Sequence, residues 1–149
     1  MIFKYLKKEK WLFFWAVCLL PVACSKETNP ISPIPDVQVR EQVNLNALEA
    51  LPLKTRDGNF IYISGGIQGI IVYRRTQDNF VAFERQSPYN MANPCSRVSV
   101  HSSKLYLIDS CNQCTFDWEG RPTGGPNRST LKNYRLEYLN NFTLLITNP

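Results

Sequence analysis

The chain has one histidine, His101, and two methionines among 149 residues. A single imidazole excludes any metal centre that needs two, and no histidine base stands near a plausible nucleophile, so hydrolysis by a nucleophile and base has no foundation. No carboxylate pair has distinctive spacing, and Asp109, Asp117 and Glu119 read as turn and strand-edge residues. Lysine and arginine form no cluster interleaved with aromatics, which removes nucleic acid as a partner. Arg74-Arg75 and Arg85 read as solvated strand positions. Residues 1–24 carry four lysines and one glutamate of a chain whose formal charge is +5, so the remainder keeps a surplus of only about +2. Helical periodicity is scarce, and no apolar run reaches the roughly 20 residues a membrane span requires.

What apolar run there is lies at the amino terminus. Lys4, Lys7, Lys8 and Lys10 precede Trp11–Leu20, followed by Pro21-Val22-Ala23-Cys24. This is the layout of a charged region, a short apolar region and a small residue before a cysteine. It reads as a bacterial lipoprotein signal over residues 1–23, with lipid carried on Cys24, although Pro21 stands where such signals usually carry leucine. A plain signal peptide or an uncleaved anchor is the other reading. Residues 24–36 are polar and rich in proline, a composition that stays extended and suits a tether. The expected location is the bacterial cell envelope, anchored on the non-cytoplasmic side of the inner or the outer membrane.

Residues 37–149 are long enough for one domain. Strand-like runs recur at Val37–Arg40, Phe60–Ile63, Gly69–Arg74, Phe80–Arg85, Arg97–Val100, Lys104–Ile108, Thr115–Trp118, Tyr134–Tyr138 and Phe142–Ile146. Thr76–Asn79 and Asn140-Asn141 supply hairpin turns, the second because asparagine tolerates positive φ. Leu45–Leu53 either forms a helical turn or extends the first strand. The pattern predicts an all-β sandwich or small barrel. Ser64–Gly69 has closely spaced glycines but opens no helix, so a tight turn is expected there and not a phosphate cradle. The sequons at Asn127 and Asn141 are read as accidental in a bacterial lipoprotein.

The stretch Asp109-Ser110-Cys111-Asn112-Gln113-Cys114-Thr115-Phe116-Asp117 follows Ser87-Pro88-Tyr89 by about twenty residues and precedes Gly124-Gly125-Pro126. Over roughly Asn59 to Pro149 this pattern resembles a Rieske-type iron–sulfur domain whose ligands have been replaced. The family carries Cys-x-His in a first loop and Cys-x-x-His, ahead of Gly-x-x-Phe-Asp, in a second, with a proline loop after it. The resemblance places Ser87 and Tyr89 at the first ligand pair and Asp109 and Asn112 at the second. It also implies stacked antiparallel sheets and a disulfide between the loops, here Cys95–Cys111, with Cys111–Cys114 as the competing pairing. A Rieske cluster takes two thiolates and two imidazoles, so no cofactor is expected, and the domain reads as a binding or structural module with an envelope protein as partner. Pro88, Tyr89 and Met91 then offer an apolar contact surface or pack against one another. The alternative is a redox protein. It would either hold a [2Fe-2S] cluster through unusual ligands among Asp109, Cys111, Cys114 and His101, or use Cys111 and Cys114 as a thiol pair.

Overall fold

The computed structural model describes residues 32–149; the signal segment, Cys24 and most of the tether fall outside the described residues. Ten strands run in order: β1 (Arg40–Asn44), β2 (Phe60–Ile63), β3 (Ile70–Thr76), β4 (Asn79–Glu84), β5 (Val98–Val100), β6 (Leu107–Asp109), β7 (Cys114–Phe116), β8 (Pro122–Gly124), β9 (Asn133–Asn140) and β10 (Thr143–Thr147). They form a six-stranded sheet, β1-β10-β9-β4-β3-β2, and a four-stranded meander, β5-β6-β7-β8. Every pairing is antiparallel. The domain is an all-β sandwich. Among the described residues no helix is long and apolar enough to cross a membrane.

The β3–β4 hairpin is the wall shared by two cores. Side chains alternate across a strand, so Ile70, Val72 and Ala82 join Val43, Leu53, Leu144 and Ile146 within the curl of the large sheet. Ile71 and Phe83 face the other way and pack with Val98, Leu107, Cys114 and Phe116 of the meander. Burial on both faces explains the unbroken run Ile70-Ile71-Val72, which a strand with one wet face would not need.

Differences from the sequence reading have local causes. The first strand begins at Arg40, because the preceding backbone is held by side chains: Asn148 Oδ1 accepts from the Val39 amide and Asn148 Nδ2 donates to the Val37 carbonyl. The Leu45–Leu53 segment is a 3₁₀ turn over Leu48–Ala50 followed by a short helix, α1 (Leu51–Thr55), with Pro52 in its first turn. Arg74 is not solvated. It is 9% exposed, donates from Nη1 to the carbonyls of Leu53 and Lys54, which end α1, and pairs with Asp57 at 2.8 Å. Arg75 pairs with Glu119 and donates to the Trp118 carbonyl. The β9–β10 hairpin forms without positive φ at either asparagine; the Asn140 side chain closes it by accepting from the Phe142 amide. Strand β8 was hidden in Pro122–Gly124, whose composition signals only a turn. Contacts of the domain reach back into the stretch read as tether, where Ile34 is buried and Asp36 meets Lys132.

Candidate functional site

Three loops meet at one end of the sandwich: residues 85–97 between β4 and β5, residues 110–113 between β6 and β7, and residues 125–132 between β8 and β9. The meander's register brings the second and third together, since Asp109 pairs with Cys114 and Thr115 with Gly124. Gly125 has φ +85°, and a Cβ there would strike the Gln113 carbonyl and stand 2.9 Å from Cys114 Cα. Only glycine permits that approach. The first loop is tied across by the disulfide Cys95–Cys111, with Cα atoms 5.8 Å apart.

The residues of interest gather on Ser96, which the sequence did not single out. Ser87 is fully buried and its amide donates to the Ser96 carbonyl at 3.0 Å. Asn112 Nδ2 donates to both Ser96 Oγ and Asp109 Oδ2, each at 2.8 Å. Ser96 Oγ in turn donates to the Asn90 carbonyl at 2.8 Å. Asp109 is fully buried, and its Oδ1 accepts the amides of Cys111 and Asn112 at 3.1 and 3.3 Å. Asp109 is therefore a core carboxylate at the strand end, satisfied by its own loop. Gln86 completes the floor by donating to the carbonyls of Ser87 and Ser96. The structure thus brings Ser87, Asp109 and Asn112 into one network, while Tyr89 turns outward at 38% exposure beside Met91 at the same exposure, and Pro88 is buried. No compositional signal marks Ser96, Asn90 or Gln86. Their role depends on two loops that only tertiary pairing joins.

Cys114 is free and fully buried in the core beneath the meander. Burial pushes its thiol upward in pKa, and the Asp109 carboxylate adds to the effect. A reactive cysteine needs the reverse environment. Because Cys111 is bonded to Cys95, the Cys111–Cys114 pairing is not the one formed. His101 lies at the turn end of the β5–β6 hairpin, while Asp109 is at its open end opposite Val98. It is half-buried, stacked on Tyr106 with centroids 4.2 Å apart, and its Nδ1 meets Ser103 Oγ. The four side chains named for unusual iron ligation therefore do not converge. Among the described residues no group of three or more His, Cys, Asp or Glu is placed to hold a metal ion.

A [2Fe-2S] cluster of Rieske type asks for two thiolates and two imidazoles. The four positions hold a hydroxyl, a phenol, a carboxylate and an amide; Ser87 Oγ accepts the Tyr89 amide, Asp109 accepts from Cys111 and Asn112, and the Asn112 side chain donates to Asp109 and Ser96. The residues do not fit the cluster. A comparison of the sequence with protein-family models and with curated proteins finds no match.

Proposed function

We propose that this chain is an envelope lipoprotein, anchored by lipid on Cys24, whose domain is a Rieske-like scaffold working without a cluster as a binding or structural module. The observation that carries the reading is the network at the tip: of the four positions the resemblance assigns to ligands, Asn112 donates to both Ser96 and Asp109, and the Ser87 amide donates to the Ser96 carbonyl, beside an inter-loop disulfide. Fold and chemistry are separable, and a scaffold persists when hydrogen bonds take over the bracing that metal gave. Tyr89 and Met91, exposed on the same tip, are the apolar contact surface for a protein partner in the envelope.

The test is the visible absorption spectrum and iron content of the full chain, purified without oxygen in detergent. A colourless, iron-free, folded protein is expected; a red-brown protein with stoichiometric iron overturns the reading. The anchor is checked separately, by fractionating cells that express Cys24→Ala, which is expected to leave the membrane fraction.

A further inference from the structure

Two arginines stand close together at the junction of the two sheets, and among the described residues neither forms an ion pair. Arg85 follows β4 and Arg97 precedes β5, and the bridge between Gln86 and Arg97 fixes the two segments side by side. Both flank Gly69: a Cβ built there would lie 3.5 Å from Arg85 Cδ and 3.7 Å from Arg97 Nη2. Among the described residues every ion pair is made by other cations, namely Arg74, Arg75, Lys132 and Arg135. A like-charge neighbour is unfavourable unless something offsets it. Desolvation, and then Arg97, lower the pKa of Arg85, and Tyr62 and the Glu84 carboxylate oppose them in part.

The protein holds both side chains in place while leaving donors over. Arg85 Nε donates to the Val98 carbonyl at 3.1 Å, and its guanidinium carbon lies 4.0 Å from the centre of the Tyr62 ring. The Tyr62 hydroxyl is itself fixed as acceptor of the Val100 amide at 3.0 Å. Arg97 donates from Nε and Nη2 to the Gln68 carbonyl at 3.2 and 2.8 Å. Among the described residues these bonds leave both Nη groups of Arg85 and the Nη1 group of Arg97 for a further acceptor. A depression of about 530 Å³ is walled by the 63–69 loop and Arg97, and Arg85 stands behind its Gly69 edge. The loop's own amides at Ile67 and Gln68 are turned inward to Glu84, so the loop offers a wall and the guanidinium groups offer the charge.

We propose that Arg97 at this depression and Arg85 across Gly69 from it bind a phosphate or sulfate group. Such a dianion has enough charge to offset both cations, and its oxygens match the planar donor fork of arginine. A free anion and the phosphate monoester of a phosphatidic-acid-type lipid headgroup share this chemistry.

The experiment is calorimetric titration of the full chain in a neutral detergent with inorganic phosphate, sulfate, and glycerol phosphate as a soluble headgroup mimic. Saturable one-site binding is expected for at least one of the three, and tightest binding by glycerol phosphate assigns the headgroup as the source. Arg97→Gln is expected to weaken it by at least about tenfold, the worth of one charge-assisted contact. Arg97→Lys is expected to fall between, and Arg121→Gln, which changes an exposed cation on a different loop, to bind as the parent does. If circular dichroism shows Arg97→Gln unfolded, Arg85→Lys carries the test, because it keeps the charge and loses the fork. Absence of saturable binding by all three anions, or equal binding by the arginine variants and the parent, overturns the proposal.

Discussion

The domain buries two carboxylates completely, Glu84 at the neck between the sheets and Asp109 at the tip, and it holds them in different ways. Asp109 accepts only from Cys111 and Asn112, two and three residues ahead of it. Glu84 collects four donors from three parts of the chain: the amides of Ile67, Gln68 and Gln86 and the Tyr134 hydroxyl, at 2.7 to 3.0 Å. A Cβ at Gly66, where φ is +63°, would collide with Glu84 Oε2, so the loop that delivers two of those donors closes onto the carboxylate through glycine. The comparison separates a keystone from a local staple. Losing Asp109 loosens one loop that water already reaches at Cys111, whereas losing Glu84 strands donors that belong to the loop after β2, the segment after β4, and β9.

The comparison predicts its own largest effect. Glu84→Ala leaves four donors without an acceptor, two of them buried, the Gln86 amide and the Tyr134 hydroxyl, and is expected to cost about 3 kcal/mol or more, since each buried stranded group costs about 1–3 kcal/mol. Asp109→Ala is expected to cost only about 1–2 kcal/mol because its donors gain water. Urea unfolding of both variants measures the difference, with Glu84→Gln as the milder replacement should the alanine variant not fold. Equal costs would break the distinction between neck and tip. Next in size is the disulfide, which closes a loop across a sequence separation of 16. The double change Cys95→Ser, Cys111→Ser is expected to lose about 3 kcal/mol through the freed unfolded chain. If the hydrogen-bonded network already braces the tip, amide exchange at position 111 and at Asn112 will still be slow in that variant; fast exchange there would assign the bracing to the disulfide alone.

Much of this was legible in sequence because strands announce themselves through alternation and turn residues. The runs at Phe60–Ile63 and Phe80–Arg85 appear as β2 and β4 with at most a residue's shift. Three-residue strands such as β8 lie below the length at which alternation means anything. Arg74 was misread because a cation with β-branched neighbours looks like the wet face of a strand; only the fold reveals the carbonyls of Leu53 and Lys54 waiting for it. Glu84 was invisible for a similar reason. Nothing in Phe83-Glu84-Arg85 distinguishes a carboxylate that faces four donors from one that faces water. At the tip, the spacing of Ser87, Asp109 and Asn112 directed attention to loops that the fold brings together, and Ser96, which joins them, carries no spacing signal of its own.

The Tyr134 hydroxyl sharpens the neck side of the comparison at smaller cost. Burial first, and the Glu84 hydrogen bond second, raise its pKa far above the ordinary phenol. A group whose folded pKa is raised contributes stability below its unfolded value, about 10 for tyrosine, and loses it as pH climbs past that value. Tyr73 and Tyr138 are shifted the same way by burial. Stability is therefore expected to decline above about pH 10 as the unfolded phenols ionise. Tyr134→Phe should cost about 1–2 kcal/mol at neutral pH through the lost bond to Glu84, and its alkaline decline should be shallower than the parent's. A parallel decline, measured by urea midpoints between pH 8 and 11, would mean that Tyr134 does not contribute to it.

The smallest effect concerns where the neck begins. Asp36 accepts from Lys132 Nζ at 2.8 Å and from Asn148 Nδ2, and the Lys132 hydrogen bond, followed by that of Asn148, holds its carboxyl below the usual range. Lys132 also supplies the carbonyl that accepts the Glu84 amide, so this contact connects the amino-terminal segment to the keystone. A depressed carboxyl contributes stability above its unfolded pKa and loses it as pH falls through the folded one. Asp36→Asn is expected to shift the unfolding midpoint slightly downward at neutral pH and not at all once acid has protonated the parent. Because Asp36 is solvent-exposed, the clearer readout is amide exchange at Val37 and Val39, whose donors close this corner. Faster exchange there in the variant, with Ile67 and Gln68 unchanged, would place the amino-terminal corner outside the Glu84 unit; faster exchange at all four would make it part of the neck.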